Sequence, residues 1–353
     1  MDVDALQRAF GEALDPAVVD FVDGGAGDER TLVANTSAWS DVWLRPRALR
    51  GPSEDTMTAV VGAPAAMPYV IAPMGYQGLV HPQGELATAR AAERVGVPFV
   101  LSTFSSCTIE DVAAAAPRST RWFQSYVLRD RGLTVELARR AAASGFSTLV
   151  VTVDAPVPGD RRRDRANGFT FPQDVSAANL DQVTDSTFST ELAPDADWSD
   201  LVRLSDRSGL PLVVKGVLHP EDARAAVDAG ARGIVVSNHG GRQLDGAVAT
   251  ADALVDVLAA VEHASVDVLV DGGLRSGLDL ARSIALGAVA GMVGRPVLWS
   301  LGAGGEQGVV DHLRTMQAEL LRTMALCGAR VPAELRDCRS DVHRPRPEAT
   351  PCR

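Results

Sequence analysis

The sequence predicts a (β/α)8 barrel, a TIM barrel, with an N-terminal helical extension and a long loop after its fourth strand. Eight short apolar segments rich in valine, isoleucine and leucine alternate with alanine-rich amphipathic segments from residue 68 onward. Strands that are apolar along their whole length are buried on both faces, which is typical of a parallel sheet covered by helices. Eight consecutive strand–helix units favour a closed barrel over an open, doubly wound sheet.

The chain of 353 residues is predicted to form a single domain in three parts. Residues 1–66 hold two amphipathic helices, near residues 2–22 and 28–39, and a proline-containing connection. Residues 67–304 form the barrel, and residues 305–353 form a C-terminal helix and tail. The predicted strands are 68–73, 98–102, 122–126, 148–154, 210–216, 233–238, 267–273 and 290–294.

The connection after the fourth strand, residues 155–197, is much longer than the usual loop of an α/β unit. It begins with a basic run, DRRRDR, and continues with polar and acidic residues. In a barrel this loop leaves the C-terminal end of a strand, which is the end where active sites lie. A lid over the site and a solvated insertion without a role are equally good interpretations of its acidic half.

Charge and composition argue against several classes of function. A formal net charge of −11 disfavours a nucleic-acid surface and an anionic membrane face, since both need basic residues. The chain lacks an apolar run of about 18 residues, and its acidic N-terminus does not resemble a signal peptide. The cysteines lack metal-binding spacing, which predicts a reduced, cytoplasmic protein without a metal site; they are Cys107, Cys327, Cys338 and Cys352.

The strongest candidate site is the segment VVSNHGGRQLDG, residues 235–246, which directly follows a predicted strand. Gly240 and Gly241 permit a tight turn and a close approach of a ligand to the backbone. Histidine ordinarily titrates near physiological pH, so His239 can take up a proton and return it. Arg242 offers a planar fork that matches a carboxylate. A base and a carboxylate-binding group three residues apart indicate a site for an organic acid, whereas an isolated His-Gly-Gly would indicate an ordinary turn.

Two further features point to an anionic ligand in the mouth of the barrel. Lys215 ends an otherwise apolar strand, where a lysine without a partner is expensive to bury. Glycine- and arginine-containing turns, at residues 270–277 and 293–299, follow the seventh and eighth strands. Barrels bind phosphate at these two turns through backbone N–H groups, a helix N-terminus and arginine.

The segment SNHGGRQLD resembles the active-site signature of the FMN-dependent 2-hydroxy acid oxidases, a family that includes glycolate, lactate and 4-hydroxymandelate oxidases and mandelate dehydrogenase. The resemblance extends from about residue 15 to about residue 330. It implies FMN as the cofactor and oxidation of an (S)-2-hydroxy acid to the 2-oxo acid, with molecular oxygen reduced to hydrogen peroxide. It also implies a homo-oligomer, either a tetramer or an octamer.

The resemblance also implies a role for individual residues. His239 corresponds to the catalytic base and Asp154 to the acid that hydrogen-bonds to it. Arg242 and Arg161 correspond to the groups that hold the substrate carboxylate, and Tyr126 to the tyrosine whose hydroxyl meets the substrate. A cation such as Lys215 can stabilise negative charge on the reduced flavin. The implied FMN contacts are Pro73, Met74, Gly75, Ser102, Gln124, Thr152, Lys215, His239, Asp271, Gly272, Gly273, Arg275, Gly294 and Arg295.

Three positions depart from the family pattern and define the predicted substrate pocket. Phe21 stands where glycolate-oxidase-like members carry a tyrosine, so a hydroxyl donor is lost. Phe104 stands where glycolate oxidase has a tryptophan. Both changes favour a bulkier acid, such as mandelate or 4-hydroxymandelate, over glycolate. Gly75 stands where oxidase members often carry alanine and mandelate dehydrogenase has glycine, which leaves the reaction with oxygen open.

Several alternatives stay open from the sequence. The same site could pass electrons to an acceptor other than oxygen, or could oxidise a small acid such as lactate or glycolate. A non-redox FMN barrel isomerase would need a basic diphosphate site and has no use for His239 and Arg242. A catalytically silent binding barrel has no need for the acid–base and carboxylate-binding positions that this chain keeps.

Overall fold

Eight parallel strands form a closed barrel in the computed structural model, which describes residues 3–180 and 192–340. Each barrel strand pairs with the next in the chain, and the last pairs with the first. The eight predicted strands are confirmed, since each overlaps an observed one. With an antiparallel hairpin that precedes the barrel, the strands are β1 (Thr58–Val60), β2 (Ala63–Ala65), β3 (Tyr69–Ile71), β4 (Phe99–Leu101), β5 (Arg121–Ser125), β6 (Thr148–Thr152), β7 (Leu212–Val217), β8 (Gly233–Val236), β9 (Asp267–Val270) and β10 (Ala290–Val293).

Helices precede the barrel and connect its strands. The alanine-rich segments predicted to be helical are confirmed as the helices Gly84–Val95, Arg131–Ala143, Pro220–Asp228 and Gly277–Leu286. The last helix has a kink at Gly305, whose φ is 59° and ψ −149°. The helices are α1 (Val3–Ala13), α2 (Pro16–Asp23), α3 (Arg30–Ser40), α4 (Gly84–Val95), α5 (Ile109–Ala115), α6 (Arg131–Ala143), α7 (Arg162–Ala166), α8 (Trp198–Ser208), α9 (Pro220–Asp228), α10 (Thr250–Ala260), α11 (Gly277–Leu286) and α12 (Arg295–Cys327).

The barrel strands alternate between two buried layers because successive side chains of a strand point to opposite faces. One set of side chains packs against the helices. The other set fills the inside of the barrel and includes Val100, Trp122, Val150, Val213, Val235 and Leu269. Two residues beyond each of these, at the C-terminal mouth, the sequence has a polar side chain: Ser102, Gln124, Thr152, Lys215, Ser237 and Asp271. The period of two therefore predicts that these polar groups converge on one point.

The N-terminal region differs from the prediction in two respects. The single helix predicted near residues 2–22 is two helices, because Asp15 caps α2 by accepting a hydrogen bond from the Ala17 N–H, and Pro16 starts it. The β1–β2 hairpin lies in a region predicted to be a connection. Val60 and Ala65 of this hairpin are buried against the apolar interior of the barrel.

Within its described residues, the long loop after β6 contains one short helix, α7, that was not predicted. Asp197 caps α8, so the loop ends where the sequence indicates. Much of the acidic half of the loop, residues 181–191, lies outside the described residues, as do residues 341–353 of the predicted tail.

No helix in the described part of the chain combines the length and apolar character needed to cross a membrane. The thiols of Cys327 and Cys338 are buried and that of Cys107 is half-buried, and all three are free. Cys352 lies outside the described residues.

A buried hydrogen bond connects the first barrel strand to the C-terminal helix. The Tyr69 hydroxyl oxygen lies 3.2 Å from His312 Nε2. Burial raises the pKa of Tyr69 well above its ordinary value, and it lowers the pKa of His312 from 6.5 to about 4. Both groups are therefore neutral in the folded protein at neutral pH.

We expect the free energy of unfolding to decrease as the pH falls from 6.5 to about 4. In this window the unfolded chain binds a proton at His312 that the folded chain excludes, which weakens folding by about 3 kcal/mol in total. His312→Gln removes the titrating ring and should flatten this part of the pH dependence in denaturant unfolding. His263→Gln changes an exposed histidine and serves as the control; equal slopes in the two variants would contradict the prediction.

Candidate active site

A cavity of about 230 Å³ opens at the C-terminal mouth of the barrel. Its lining includes all of the predicted site residues except Asp154, which lies behind His239. Strand ends supply the polar floor, the loops after β3 and β6 supply one wall, and the N-terminal segment that contains Phe21 supplies another. The structure thus brings together residues that are up to about 270 positions apart in the sequence, from Phe21 to Arg295.

His239 and Asp154 form a hydrogen-bonded pair, with 2.9 Å between His239 Nδ1 and Asp154 Oδ1. Burial alone would raise the pKa of Asp154, but His239 and Lys215 outweigh burial and lower it below its ordinary value. A bulge at Gly216 permits the close approach of Asp154, because a Cβ there would lie 2.6 Å from Asp154 Cβ. A carboxylate in this position fixes the orientation of the imidazole.

The Lys215 ammonium group lies in a buried network at the ends of β7, β8 and β9. Its Nζ atom is 2.8 Å from Asp271 Oδ2 and 2.8 Å from the Ser237 hydroxyl. Ser237 in turn donates to Asp271 and accepts a hydrogen bond from the backbone N–H of His239. Burial alone would lower the pKa of Lys215, yet Asp271 and Asp154 raise it above its ordinary value. The network therefore holds a charged lysine at the floor of the cavity.

Two guanidinium groups lie close to the ring of Phe21. The Cζ atoms of Arg161 and Arg242 lie 5.2 Å and 5.3 Å from its centroid. Arg242 Nη1 donates to the carbonyl oxygens of Phe21 and Gly24, at 2.8 Å each. Burial, with the nearby cations Arg161 and Arg295, lowers the pKa of Arg242 well below its ordinary value. Arg161 Nε lies 3.5 Å from Asp164 Oδ2, whereas Arg242 has no carboxylate within ion-pair distance among the described residues, so Arg242 favours an anionic ligand.

The side chains of the basic run at the start of the long loop point in different directions. Arg161 lines the cavity, whereas Arg162 and Arg163 face away from it. Arg162 forms an ion pair with Asp28, and Arg163 forms one with Glu29. The two outer arginines thus attach α7 to the N-terminal region, and Arg161 is the member of the run that faces the site, as predicted.

Aromatic side chains form one wall of the cavity. The ring of Phe171, from the long loop, lies 4.3 Å from that of Tyr76 and 5.5 Å from that of Phe21, centroid to centroid. The ring of Phe104 lies 5.5 Å from that of Tyr126 and 6.0 Å from that of Tyr76. Burial raises the pKa of Tyr126, so its hydroxyl stays protonated. These five rings present a largely apolar surface beside the arginines.

The turns after β9 and β10 form the opposite end of the cavity. Gly272 and Gly273 have φ values of 83° and 79°, and a Cβ at Gly273 would collide with the carbonyl oxygen of Asn35. Burial lowers the pKa of Arg275, and it lowers that of Arg295 to about 10. Arg295 donates to backbone carbonyl oxygens, and Arg275 lies over the ring of Trp299.

The chemistry of this lining fits FMN. Partly buried arginines without carboxylate partners among the described residues, together with the backbone of a glycine turn that lines the cavity, suit a phosphate. Gln124 Nε2 and Asp271 Oδ1 are buried and lack a hydrogen-bond partner in the described part of the chain. Buried polar atoms of this kind ordinarily have partners, so a polar ligand edge is expected beside them.

Three residues that help to build this site were not predicted from the sequence. Ser237 is signalled by the period of two from the inward-facing Val235, but the prediction used only the histidine and arginine of that segment. Tyr76 directly follows the predicted contact Gly75. Phe171 has no sequence signal, because it comes from a long loop without periodicity.

Comparisons with known proteins agree with this geometry. Residues 11–341 match the family of FMN-dependent dehydrogenases. L-lactate oxidase from a Nostoc species is 46% identical over 326 residues, which cover 88% of this chain and 89% of that protein. 4-Hydroxymandelate oxidase from Amycolatopsis orientalis is 46% identical over 337 residues, which cover 92% and 93%. A crystal structure of mandelate oxidase has a TM-score of 0.90 and 46% identity, and covers 95% of this chain and 96% of that one.

The fold and the site define a flavin-dependent oxidoreductase built on a TIM barrel. The chain belongs to the FMN-dependent dehydrogenase family, and FMN is its cofactor. The resemblance carried by the SNHGGRQLD segment is thereby confirmed, as is the wider class of 2-hydroxy acid oxidases.

Proposed function

We propose that this enzyme oxidises an (S)-2-hydroxy acid with an aromatic side chain, of the mandelate or 4-hydroxymandelate type, to the 2-oxo acid. Oxygen is the electron acceptor and hydrogen peroxide the second product. The observation that carries the proposal is the wall of five aromatic rings beside two arginines and the His239–Asp154 pair. An aromatic ring gains favourable stacking or edge contacts on such a wall, whereas glycolate has no side chain to fill it.

FMN, when bound, supplies the acceptor for the two electrons and the α-hydrogen that leave the substrate. His239 removes the proton of the α-hydroxyl group through Nε2, because Nδ1 is bonded to Asp154. Asp154 holds the ring in this orientation and stabilises the imidazolium that forms. The proton thus leaves the hydroxyl oxygen and the α-hydrogen leaves the carbon that bears it, so that this C–OH group becomes the carbonyl of the product.

Arg161 and Arg242 bind the substrate carboxylate. Arg242 Nη1 is occupied by backbone carbonyl oxygens, which leaves its other nitrogen atoms for an anion. The Tyr126 hydroxyl, kept protonated by burial, donates to a substrate oxygen. Charge-assisted hydrogen bonds from two arginines fix the substrate in one orientation and select for an acid.

The predicted FMN contacts form three groups, according to the part of the cofactor that each would bind. Ser102, Gln124, Thr152 and Lys215 hold the polar edge of the ring system, and Lys215 favours its reduced, negatively charged form. The backbone of Pro73, Met74 and Gly75, which lines the cavity, would contact the ring. The residues that would hold the ribityl and phosphate groups are Asp271, Gly272, Gly273, Arg275, Gly294 and Arg295.

Phe21→Tyr is expected to shift preference toward small acids. The added hydroxyl supplies a hydrogen bond to a carboxylate, and it makes the pocket less apolar. We expect the ratio of kcat/KM for glycolate to kcat/KM for (S)-mandelate to rise about tenfold, because the polar hydroxyl weakens the apolar contacts of the phenyl ring, whereas the bond to the carboxylate is available to both acids. Phe21→Leu is the control, since it removes the aromatic ring beside the arginines without adding a donor. An unchanged ratio in Phe21→Tyr would undercut the role of Phe21 in specificity.

Gly75 bears on the reaction with oxygen. A Cβ at this position would lie 3.1 Å from both the Cβ and the carbonyl oxygen of Phe104, so glycine permits the close approach of Phe104. A residue at this point influences the space beside the flavin and therefore the access of oxygen. Reaction with another electron acceptor is the alternative.

An anaerobic screen tests the proposal directly. The FMN-loaded enzyme is mixed with (S)-mandelate, (S)-4-hydroxymandelate, (S)-lactate or glycolate, and the loss of yellow colour is followed before air is admitted. We expect the aromatic acids to bleach the flavin fastest and the colour to return in air. Faster bleaching by lactate or glycolate would overturn the substrate assignment. A flavin that stays bleached in air but recovers with an artificial acceptor would overturn the oxidase assignment.

We further propose that the chain forms one domain, with the boundaries predicted above, and assembles as a cytoplasmic homotetramer, with an octamer as the alternative. The free thiols of Cys327 and Cys338 agree with a reducing compartment. The resemblance to the family supports the oligomer. Sedimentation analysis of the purified enzyme distinguishes a tetramer, an octamer and a monomer.

A further inference from the structure

Helix α3, which lies outside the barrel, buries a row of polar side chains against it. Thr31, Asn35 and Trp39 are spaced four residues apart, so they lie on one face of the helix. Each is about 1% exposed. Apolar residues would pack there at lower cost, because a buried polar group must be compensated by hydrogen bonds. We call this row the polar face of α3.

The central member of the polar face contacts the segment that carries the catalytic base. Asn35 Nδ2 donates to Asn238 Oδ1, and Asn238 Nδ2 donates to Asn35 Oδ1, both at 2.8 Å. Asn238 Oδ1 also accepts from the Gly241 N–H, and Asn35 Oδ1 accepts from the Thr250 N–H. The paired amides therefore hold both ends of the loop that contains His239.

The loop needs such support because its backbone is strained at His239, the proposed catalytic base. His239 has a φ of 58°, in the left-handed region that residues with a Cβ adopt at a cost. Such conformations persist only where the surroundings determine them fully. The Ser237 hydroxyl fixes the N–H of His239 from within the barrel, and Asn238 is fixed by Asn35 from outside.

The other two members contact neighbouring loops. The Thr31 hydroxyl donates to the Ala247 carbonyl oxygen and accepts from the Gly246 N–H, at 2.9 Å each. Trp39 Nε1 donates to the Gly272 carbonyl oxygen at 2.8 Å, which is in the turn proposed to bind phosphate. One helix therefore supports the catalytic loop at two points and the cofactor turn at a third.

We infer that Asn35 is a positioning residue for the catalytic base, and that the polar face of α3 couples the N-terminal helices to the chemistry of the barrel. Asn35 does not line the cavity; it acts by holding Asn238 and thus the backbone of His239. The inference rests on the proposed function insofar as His239 is the base.

The test compares four variants of the FMN-loaded enzyme. Asn35→Ala removes both hydrogen bonds between the Asn35 and Asn238 side chains. Asn35→Asp keeps the shape of the side chain but replaces its N–H donor with an oxygen. Trp39→Phe removes only the donor to Gly272. Thr36→Ala changes an exposed residue of the same helix and is the control. Three quantities are measured: the limiting rate of anaerobic flavin bleaching with its KM, the rate of FMN release on dilution, and amide hydrogen exchange of residues 237–250.

We expect both Asn35 variants to lower the limiting bleaching rate tenfold to a hundredfold, the size of effect that small misplacements of a reacting group produce. Their KM and FMN release should stay within about twofold of wild type, as a local positioning role requires. Hydrogen exchange in residues 237–250 should accelerate in Asn35→Ala and not in Thr36→Ala. Trp39→Phe should show the opposite pattern, with faster FMN release and a bleaching rate near that of wild type once loaded.

Two results would overturn the inference. One is a wild-type bleaching rate and wild-type hydrogen exchange in Asn35→Ala. The other is a parallel loss of bleaching rate, FMN retention and thermal stability in the Asn35 variants, which indicates general loosening. If wild type bleaches with none of the acids, the proposed function fails on its own, and hydrogen exchange still decides whether Asn35 holds the loop.

Discussion

His239→Asn should lower the rate of flavin bleaching by substrate about a thousandfold or more, while FMN remains bound. A general base contributes a factor of this order, and asparagine cannot take up the hydroxyl proton. Asparagine is the appropriate replacement because it tolerates the left-handed backbone that His239 adopts, with φ at 58°. The loss therefore reports on the imidazole and not on a distorted loop. Stopped-flow absorbance under nitrogen measures the rate.

His263→Asn is the matched control, since it makes the same replacement at an exposed position. It should bleach at the wild-type rate. Asp154→Asn keeps a side chain of the same shape beside His239 but removes the negative charge, and should reduce the rate less than His239→Asn. Bleaching at the wild-type rate in His239→Asn would remove His239 as the base.

Lys215→Met should lose both stability and flavin reduction. Lys215 is 4% exposed, and its ammonium group lies 2.8 Å from Asp271 Oδ2. Removing one partner of a buried ion pair leaves the other charge uncompensated, which costs about 3–5 kcal/mol in free energy of unfolding. We also expect bleaching to slow about a hundredfold or more, because the cation that favours the reduced flavin is gone. Denaturant unfolding with excess FMN and anaerobic bleaching measure the two effects.

The double variant Lys215→Met with Asp271→Asn separates these effects. It removes both charges, so most of the lost stability should return. The bleaching rate should stay low, because the cation is still absent. Recovery of both properties in the double variant would mean that Lys215 serves the fold alone.

The fold was predictable because its signals are local and repeated. Apolar strands of even spacing and glycine-terminated helices recur along the barrel, and every predicted strand is confirmed. The N-terminal region was not predictable to the same degree. Its first helix breaks at Asp15 and Pro16, where a capping residue and a proline outweigh a continuous apolar pattern. The β1–β2 hairpin has only three residues in each strand, too few for an alternation to be visible.

The site was predictable where it depends on strand register. The polar residues that end the barrel strands lie two positions beyond inward-facing apolar residues, so their convergence follows from the period of a strand. Phe171 and Asn35 could not be predicted this way. Phe171 reaches the cavity from a loop without periodicity, and Asn35 gains its partner only when α3 docks on the barrel.

The most direct test of the central claim is a single turnover. The FMN-loaded enzyme is mixed without oxygen with one equivalent of (S)-mandelate, and air is then admitted. The expected result is complete bleaching with one equivalent of benzoylformate per flavin, and then return of the yellow colour with one equivalent of hydrogen peroxide. A flavin that stays yellow with (S)-mandelate and with every other 2-hydroxy acid of the screen would contradict it.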